Sequence, residues 1–88
     1  MILLFSKKEC GPCILVKKYF KAMNDSRTEV IKELLLDDES DNIATAKQYG
    51  INATPTLIVL NDSGEKMEES IGGVNITQNI LKILEQYS

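Results

Sequence analysis

The sequence predicts an α/β fold: a four-stranded mixed sheet with helices on both faces, in the order β-α-β-α-β-β-α. Three observations carry this reading. First, Ile2-Leu3-Leu4-Phe5 is a short run apolar on both faces, as a central strand of a covered sheet is, and Thr56-Leu57-Ile58-Val59-Leu60 is a β-branched apolar run of strand length. Second, stretches with apolar residues at helical spacing lie between and after them. Third, the turn signal Asn61-Asp62-Ser63-Gly64 joins the second run to a charged one, Glu65 to Ile71. That pattern predicts a hairpin whose last strand lies at a sheet edge.

Taken in order, Ile2 to Phe5 is the first strand and Ser6 to Glu9 a polar loop. A helix is expected from about Gly11 to Met23, with Val16, Phe20 and Met23 inward and Lys17, Lys18 and Lys21 outward. Asn24-Asp25-Ser26 breaks it. The segment from Val30 to Leu36 fits a helix or a strand by spacing, and its Leu, Glu and Lys favour a helix locally. A helix on either side of it argues for a strand. Ser40 can cap a helix over Asp41 to Tyr49, which Gly50 would end in the left-handed conformation. In the last helix, Asn75 and Gln78 are spaced as a capping box, and Ile76, Ile80, Ile83, Leu84 and Tyr87 form the buried stripe. With 88 residues and no repeat or linker, residues 1–88 are expected to form a single domain.

The chemistry centres on Cys10-Gly11-Pro12-Cys13, which contains the only two cysteines. Three residues apart in the first turn of a helix, their sulfurs lie on one face, close enough for a small disulfide ring. A thiolate there faces unpaired backbone N–H groups and the positive end of the helix dipole, which favour ionisation. Pro12 sacrifices no hydrogen bond in a first turn. Redox chemistry and metal binding both use such a pair. Two thiolates without a histidine leave a zinc site half built, so no metal is expected.

Composition narrows the rest. A net charge of −3 and a pI near 4.9 disfavour nucleic acid as a partner. The first apolar run is too short for a membrane span or an export signal, so no membrane association and a cytoplasmic location are expected. The absence of histidine removes His-based acid–base and nucleophile systems.

At Cys10-Gly11-Pro12-Cys13 the sequence resembles the thioredoxin/glutaredoxin superfamily, whose thioredoxin branch carries that tetrapeptide as its redox site. Tyr49-Gly50-Ile51 through Thr54-Pro55-Thr56 is also similar to thioredoxins, in which a cis-proline faces the redox pair. Gly72-Gly73 followed by a polar residue is similar to the glutathione-site loop of glutaredoxins, and the short length also looks glutaredoxin-like. The resemblance covers essentially the whole chain. It implies the thioredoxin fold, a parallel strand over residues 30–36, and a cis bond before Pro55.

For function, the resemblance implies a thiol–disulfide oxidoreductase with no bound cofactor, in which Cys10 attacks a substrate disulfide and Cys13 resolves the mixed disulfide. Gly11, Pro12 and Glu9 would complete the active-site loop, and Thr54, Pro55 and Gly73 would meet the substrate. Expected partners are disulfide-containing proteins and an electron source, either a thioredoxin-type reductase or glutathione; a monomer is expected. Lys7, Lys8, Lys17 and Lys18 would rim the pair. Two positions depart from thioredoxins. Glu9 replaces their tryptophan before the first cysteine. Leu4 replaces the buried aspartate that helps deprotonate the second, leaving that proton to water or Glu9. The rival readings are a glutaredoxin-type reductase, a thioredoxin-fold binding module without catalysis, and a dimeric metal or iron–sulfur carrier.

Overall fold

A strand that is apolar on both faces needs cover on both sides, and two such strands set this architecture. The computed structural model describes residues 1–37 and 40–88. β1 (Ile2–Ser6) and β3 (Thr56–Leu60) are buried along their whole length and pair antiparallel, with Leu4 opposite Leu57 and Leu3 opposite Ile58. β2 (Ile31–Leu35) adds in parallel to β1, and β4 (Lys66–Ile71) adds antiparallel to β3. The sheet order is β2-β1-β3-β4, so the charged strand does lie at an edge.

Period-two alternation then divides the core. Ile2, Leu4, Leu57 and Val59 face α1 (Gly11–Met23) and α3 (Gly73–Tyr87), where Val16, Ile76, Ile80, Ile83 and Leu84 meet them. Leu3, Phe5, Ile58, Leu60 and Leu34 face the opposite way, towards Ala46 of α2 (Ser40–Gln48). This is the predicted β-α-β-α-β-β-α order on a mixed sheet.

The bounds of α1 and β3 coincide with those read from sequence, and other elements shift. Residues 26–30 form a 3₁₀ turn, with Asp25 accepting the backbone N–H of Arg27 as its cap, so β2 begins only at Ile31. The Asp25 carboxylate also takes bidentate hydrogen bonds from the Arg27 guanidinium, which makes this turn a local charged clip. Ser6 belongs to β1 rather than to the following loop.

Ser40 is the first residue of α2 rather than its cap, and residues 38–39 before it lie outside the described residues. At the other end, Gly50 takes φ +69° and donates to Lys47 O, while Ile51 donates to Ala46 O. Those two bonds make a Schellman ending, as Gly50 predicts.

The capping box at Asn75 does not form. α3 begins three residues earlier, behind Gly72 at φ +90°, and Asn75 donates instead to Ile71 O at 2.7 Å. Only glycine holds the Gly72 conformation at low cost, so the backbone itself starts this helix. Lys17 also departs from the outward face. Its ammonium reaches Glu33 on β2 at 3.0 Å.

Candidate active site

β1 and α1 meet at the C-terminal edge of the sheet, and the short connection there delivers both cysteines. Cys10 is the N-cap of α1, in extended conformation, and its Sγ accepts the Cys13 N–H at 3.2 Å. Sulfur thus does the work usually given to a serine or aspartate oxygen at a helix start. Cys10 and Cys13 are joined as a disulfide. Cys10 is partly exposed, whereas Cys13 is fully buried.

The loop before β3 faces this pair. The Thr54–Pro55 bond is cis, as the resemblance implies. Cys10 Sγ lies 3.9 Å from the Thr54 carbonyl oxygen and 3.8 Å from its hydroxyl, which donates to the sulfur. A third segment closes the arrangement: Gly72 N–H donates to Pro55 O at 2.9 Å. Gly73 sits so near the helix that a Cβ there would lie 3.6 Å from both Pro12 O and Val16 Cγ2. Three chain segments far apart in sequence therefore meet around one disulfide.

Two openings flank it. On one side Pro12, Leu15, Val16, Gly73, Val74 and Thr77 line an apolar groove of about 360 Å³, and Leu15 and Val74 stand 65% and 69% exposed on its rim. On the other, Lys7, Leu36, Ile51, Asn52, Ala53 and Thr54 line a smaller opening of about 150 Å³ with more polar walls. Glu9 and Gly11 are exposed beside the cysteines. Of the lysines expected to rim the pair, Lys7 lines the polar opening, while the backbone N–H of Lys8 donates to Asp37 Oδ1. Lys17 turns underneath towards the sheet. Among the described residues, no group of three or more His, Cys, Asp or Glu side chains is arranged to hold a metal ion.

Leu15, Val74 and Glu33 were missed by the sequence reading. The first two carry a usable signal, being apolar residues off the buried stripes and adjacent to the site in sequence. Glu33 carries a weaker one, since alternation with Ile31 and Leu35 turns it to the α1 face.

The family model for a thioredoxin-like domain matches residues 1–88. The chain belongs to the thioredoxin-like family. Its relatives include thioredoxin from Bacillus subtilis, 35% identical over 63 residues that cover 72% of this chain and 59% of that protein. Thioredoxin from Chlamydia caviae is 27% identical over 85 residues, covering 96% of this chain and 78% of the relative. Among solved structures, the thioredoxin of Fasciola hepatica superposes with a TM-score of 0.76 at 19% identity, covering 99% of this chain and 79% of the other, which shows the shared fold. This chain spans about three-fifths of the length of the first curated thioredoxins it matches.

Proposed function

We propose that residues 1–88 act as one thioredoxin-like domain that reduces disulfides in other proteins by thiol–disulfide exchange. The observation that carries this reading is the asymmetry of the pair. Cys10 is partly exposed at the helix N-terminus against Thr54, and Cys13 is buried behind it. A reduced Cys10 is reachable by a substrate and sits where backbone N–H groups and the helix dipole favour thiolate. It attacks one sulfur of the substrate disulfide, and the other substrate sulfur departs as a thiol after taking up a proton. The resulting mixed disulfide is attacked by Cys13, which expels the second substrate thiol and leaves Cys10 and Cys13 oxidised. Glu9, Gly11 and Pro12 shape the loop, and Thr54, Pro55 and Gly73 present the surface that a substrate chain crosses. No bound cofactor enters this cycle. The cytoplasm, where thiols are kept reduced, suits it.

Something must return two electrons to the disulfide, and a thioredoxin-type reductase fits better than glutathione. The first polar side chain after Gly73 is Asn75, uncharged and already donating to Ile71 O. It offers glutathione's ammonium an uncharged amide oxygen in place of a carboxylate. The test is insulin reduction by the full chain, driven either by NADPH with a thioredoxin-type reductase or by glutathione with glutathione reductase. Turnover with the first source alone is expected. Turnover with glutathione alone would move the protein to the glutaredoxin side. Equal insulin reduction by a Cys10→Ser, Cys13→Ser double variant would leave only a binding module.

A further inference from the structure

Cys13 must lose a proton before its sulfur can attack, and its surroundings make that difficult. It is fully buried in the first turn of α1, one turn before the core residue Val16, and a thiol buried in apolar surroundings resists ionisation. The ionisable groups near it can be placed element by element. Glu9, Lys7 and Lys8 belong to the exposed loop before α1. On α1 itself Lys17 stands one turn after Cys13 on the same side, and Lys18 and Lys21 are exposed. Towards α1 and α3, β1 and β3 present Ile2, Leu4, Ser6, Leu57 and Val59, none of them ionisable, and the buried residues of α3 are all aliphatic. From β2 comes Glu33.

Glu33 is unusually well held for a surface-strand carboxylate. Its Oε2 accepts the Ser6 hydroxyl at 2.9 Å and the Lys17 ammonium at 3.0 Å. Ser6 is fully buried, and its hydroxyl is committed to this carboxylate. Stability is a weak reason for the arrangement. The Glu33 and Lys17 side chains are 33% and 40% exposed, and a pair so accessible is worth about 0–1 kcal/mol.

The register sets the network at the end of β1 over which α1 begins. Glu33 pairs with Leu4, two residues before Ser6 on β1. Two residues of strand span about 6.6 Å, and the four residues from Lys17 back to Cys13 span about 6 Å of helix axis. α1 starts just beyond the end of β1 and runs back over it, so Cys13, one turn before Lys17, lies on the Ser6 side of the Leu4–Glu33 rung. On the far side of the network, Leu4, Lys17, Phe20, Ile31 and Glu33 line a pocket of about 220 Å³ that opens to solvent, ample for several waters.

We propose that Glu33, held in place by Ser6 and Lys17, accepts the proton of Cys13 when Cys13 resolves the mixed disulfide. This rests on the reading of Cys13 as the resolving thiol. The Cys13 proton passes by way of the Ser6 hydroxyl, which takes it up while giving its own to the Glu33 carboxylate. The Cys13 sulfur forms its bond to Cys10 Sγ, the bond from Cys10 to the substrate sulfur breaks, and that sulfur leaves with the electron pair. Glu33 then releases the proton through the pocket to solvent, where the departing thiolate takes one up. Glu9 has no part in this route.

Stopped-flow reaction of the reduced full chain with 5,5′-dithiobis(2-nitrobenzoic acid) separates the steps. Attack by Cys10 releases one thionitrobenzoate, and attack by Cys13 releases a second. Cys13→Ser releases only the first, which identifies the phases. In Glu33→Gln the rate of the second phase relative to the first should fall at least about tenfold at pH 7. The deficit should close as pH rises towards 9 and hydroxide takes the proton, and Glu33→Asp should recover part of the rate. A ratio within twofold of wild type, an accelerated second phase, or an equal deficit at every pH would overturn the proposal. Should Glu33→Gln lose its circular dichroism signal, Ser6→Ala is read in its place by the same criteria. Absence of both phases in the unaltered protein would instead refute the oxidoreductase reading itself.

Discussion

Cys10 and Cys13 differ in access far more than in chemistry, and in the proposed disulfide exchange that difference sets their order of action. Blocking the second step should therefore preserve the first. Cys13→Ser is expected to accumulate a covalent mixed disulfide with a substrate protein, visible by mass spectrometry and cleared by dithiothreitol. Cys10→Ser should trap nothing, because the remaining thiol is buried. Iodoacetamide should alkylate Cys10 in the reduced protein faster than Cys13. Trapping by Cys10→Ser would reverse the assignment. At this scale the sequence was legible wherever chemistry depends on local spacing. Cys10 and Cys13 are three apart, Pro12 is compatible with a first turn, and Thr54-Pro55 matched a family motif. It was illegible where side chains from different elements meet. Lys17 reads as solvated because charges on an amphipathic helix usually are, and only the parallel pairing of β1 with β2 reveals the carboxylate it reaches.

Elements were legible where one residue's conformational preference decides a boundary. Gly50 ends α2 by taking a left-handed conformation, and Asn24 ends α1 in the same way at φ 50°. The misplacements arose where two local signals competed. Asn75 with Gln78 has capping-box spacing, but Gly72 starts α3 earlier and leaves Asn75 inside the first turn. The 3₁₀ turn over Ser26–Val30 was unforeseen because its cap, Asp25, lies in what reads as a simple breaker. That cap carries a pH signature. Hydrogen bonds from Arg27, chiefly through its side chain, hold the Asp25 carboxyl down from the ordinary 3.8 to about 2. A carboxyl whose pKa is lower in the folded state adds stability above its unfolded value, and that contribution is lost as pH falls through the folded value. The contribution should therefore be complete above about pH 4 and gone below about pH 2. Thermal unfolding of Asp25→Asn beside the unaltered protein reads it directly, since other carboxylates titrate in both. The gap in melting temperature should be present at pH 5 and shrink steadily towards pH 2. A gap constant over that range would mean that Asp25 acts through packing or backbone geometry rather than through its charge.

On the scale of the whole molecule, two apolar faces of one sheet hold three helices so that loops from residues 7–10, 52–55 and 72–73 converge at one edge. The edge position of β4 was readable because that strand is charged while β1 and β3 are uniformly apolar. The surface beside the disulfide was not, because an exposed leucine in a sequence looks the same as a buried one. In the folded chain, Leu15 from α1 and Val74 from α3 stand on opposite rims of the apolar groove, next to Pro12 and Gly73. Under the proposed function a protein substrate would lay chain across this edge to bring its disulfide to Cys10, and burying apolar side chains there would contribute to docking. A small disulfide reagent needs no such contact. Burying a leucine fully is worth about 1.5–3 kcal/mol, and each 1.4 kcal/mol is about tenfold in affinity. Leu15→Ser and Val74→Ser should each lower kcat/KM for insulin about tenfold relative to kcat/KM for a small disulfide reagent. Both positions are mostly exposed, so each change should alter folding stability by no more than about 0.5 kcal/mol, checked by urea unfolding. Equal losses on large and small disulfides would mean that the substitutions disturb the cysteines themselves. No loss on insulin would place the docking contact on the opposite side of the pair, along the polar opening lined by Lys7, Asn52 and Thr54.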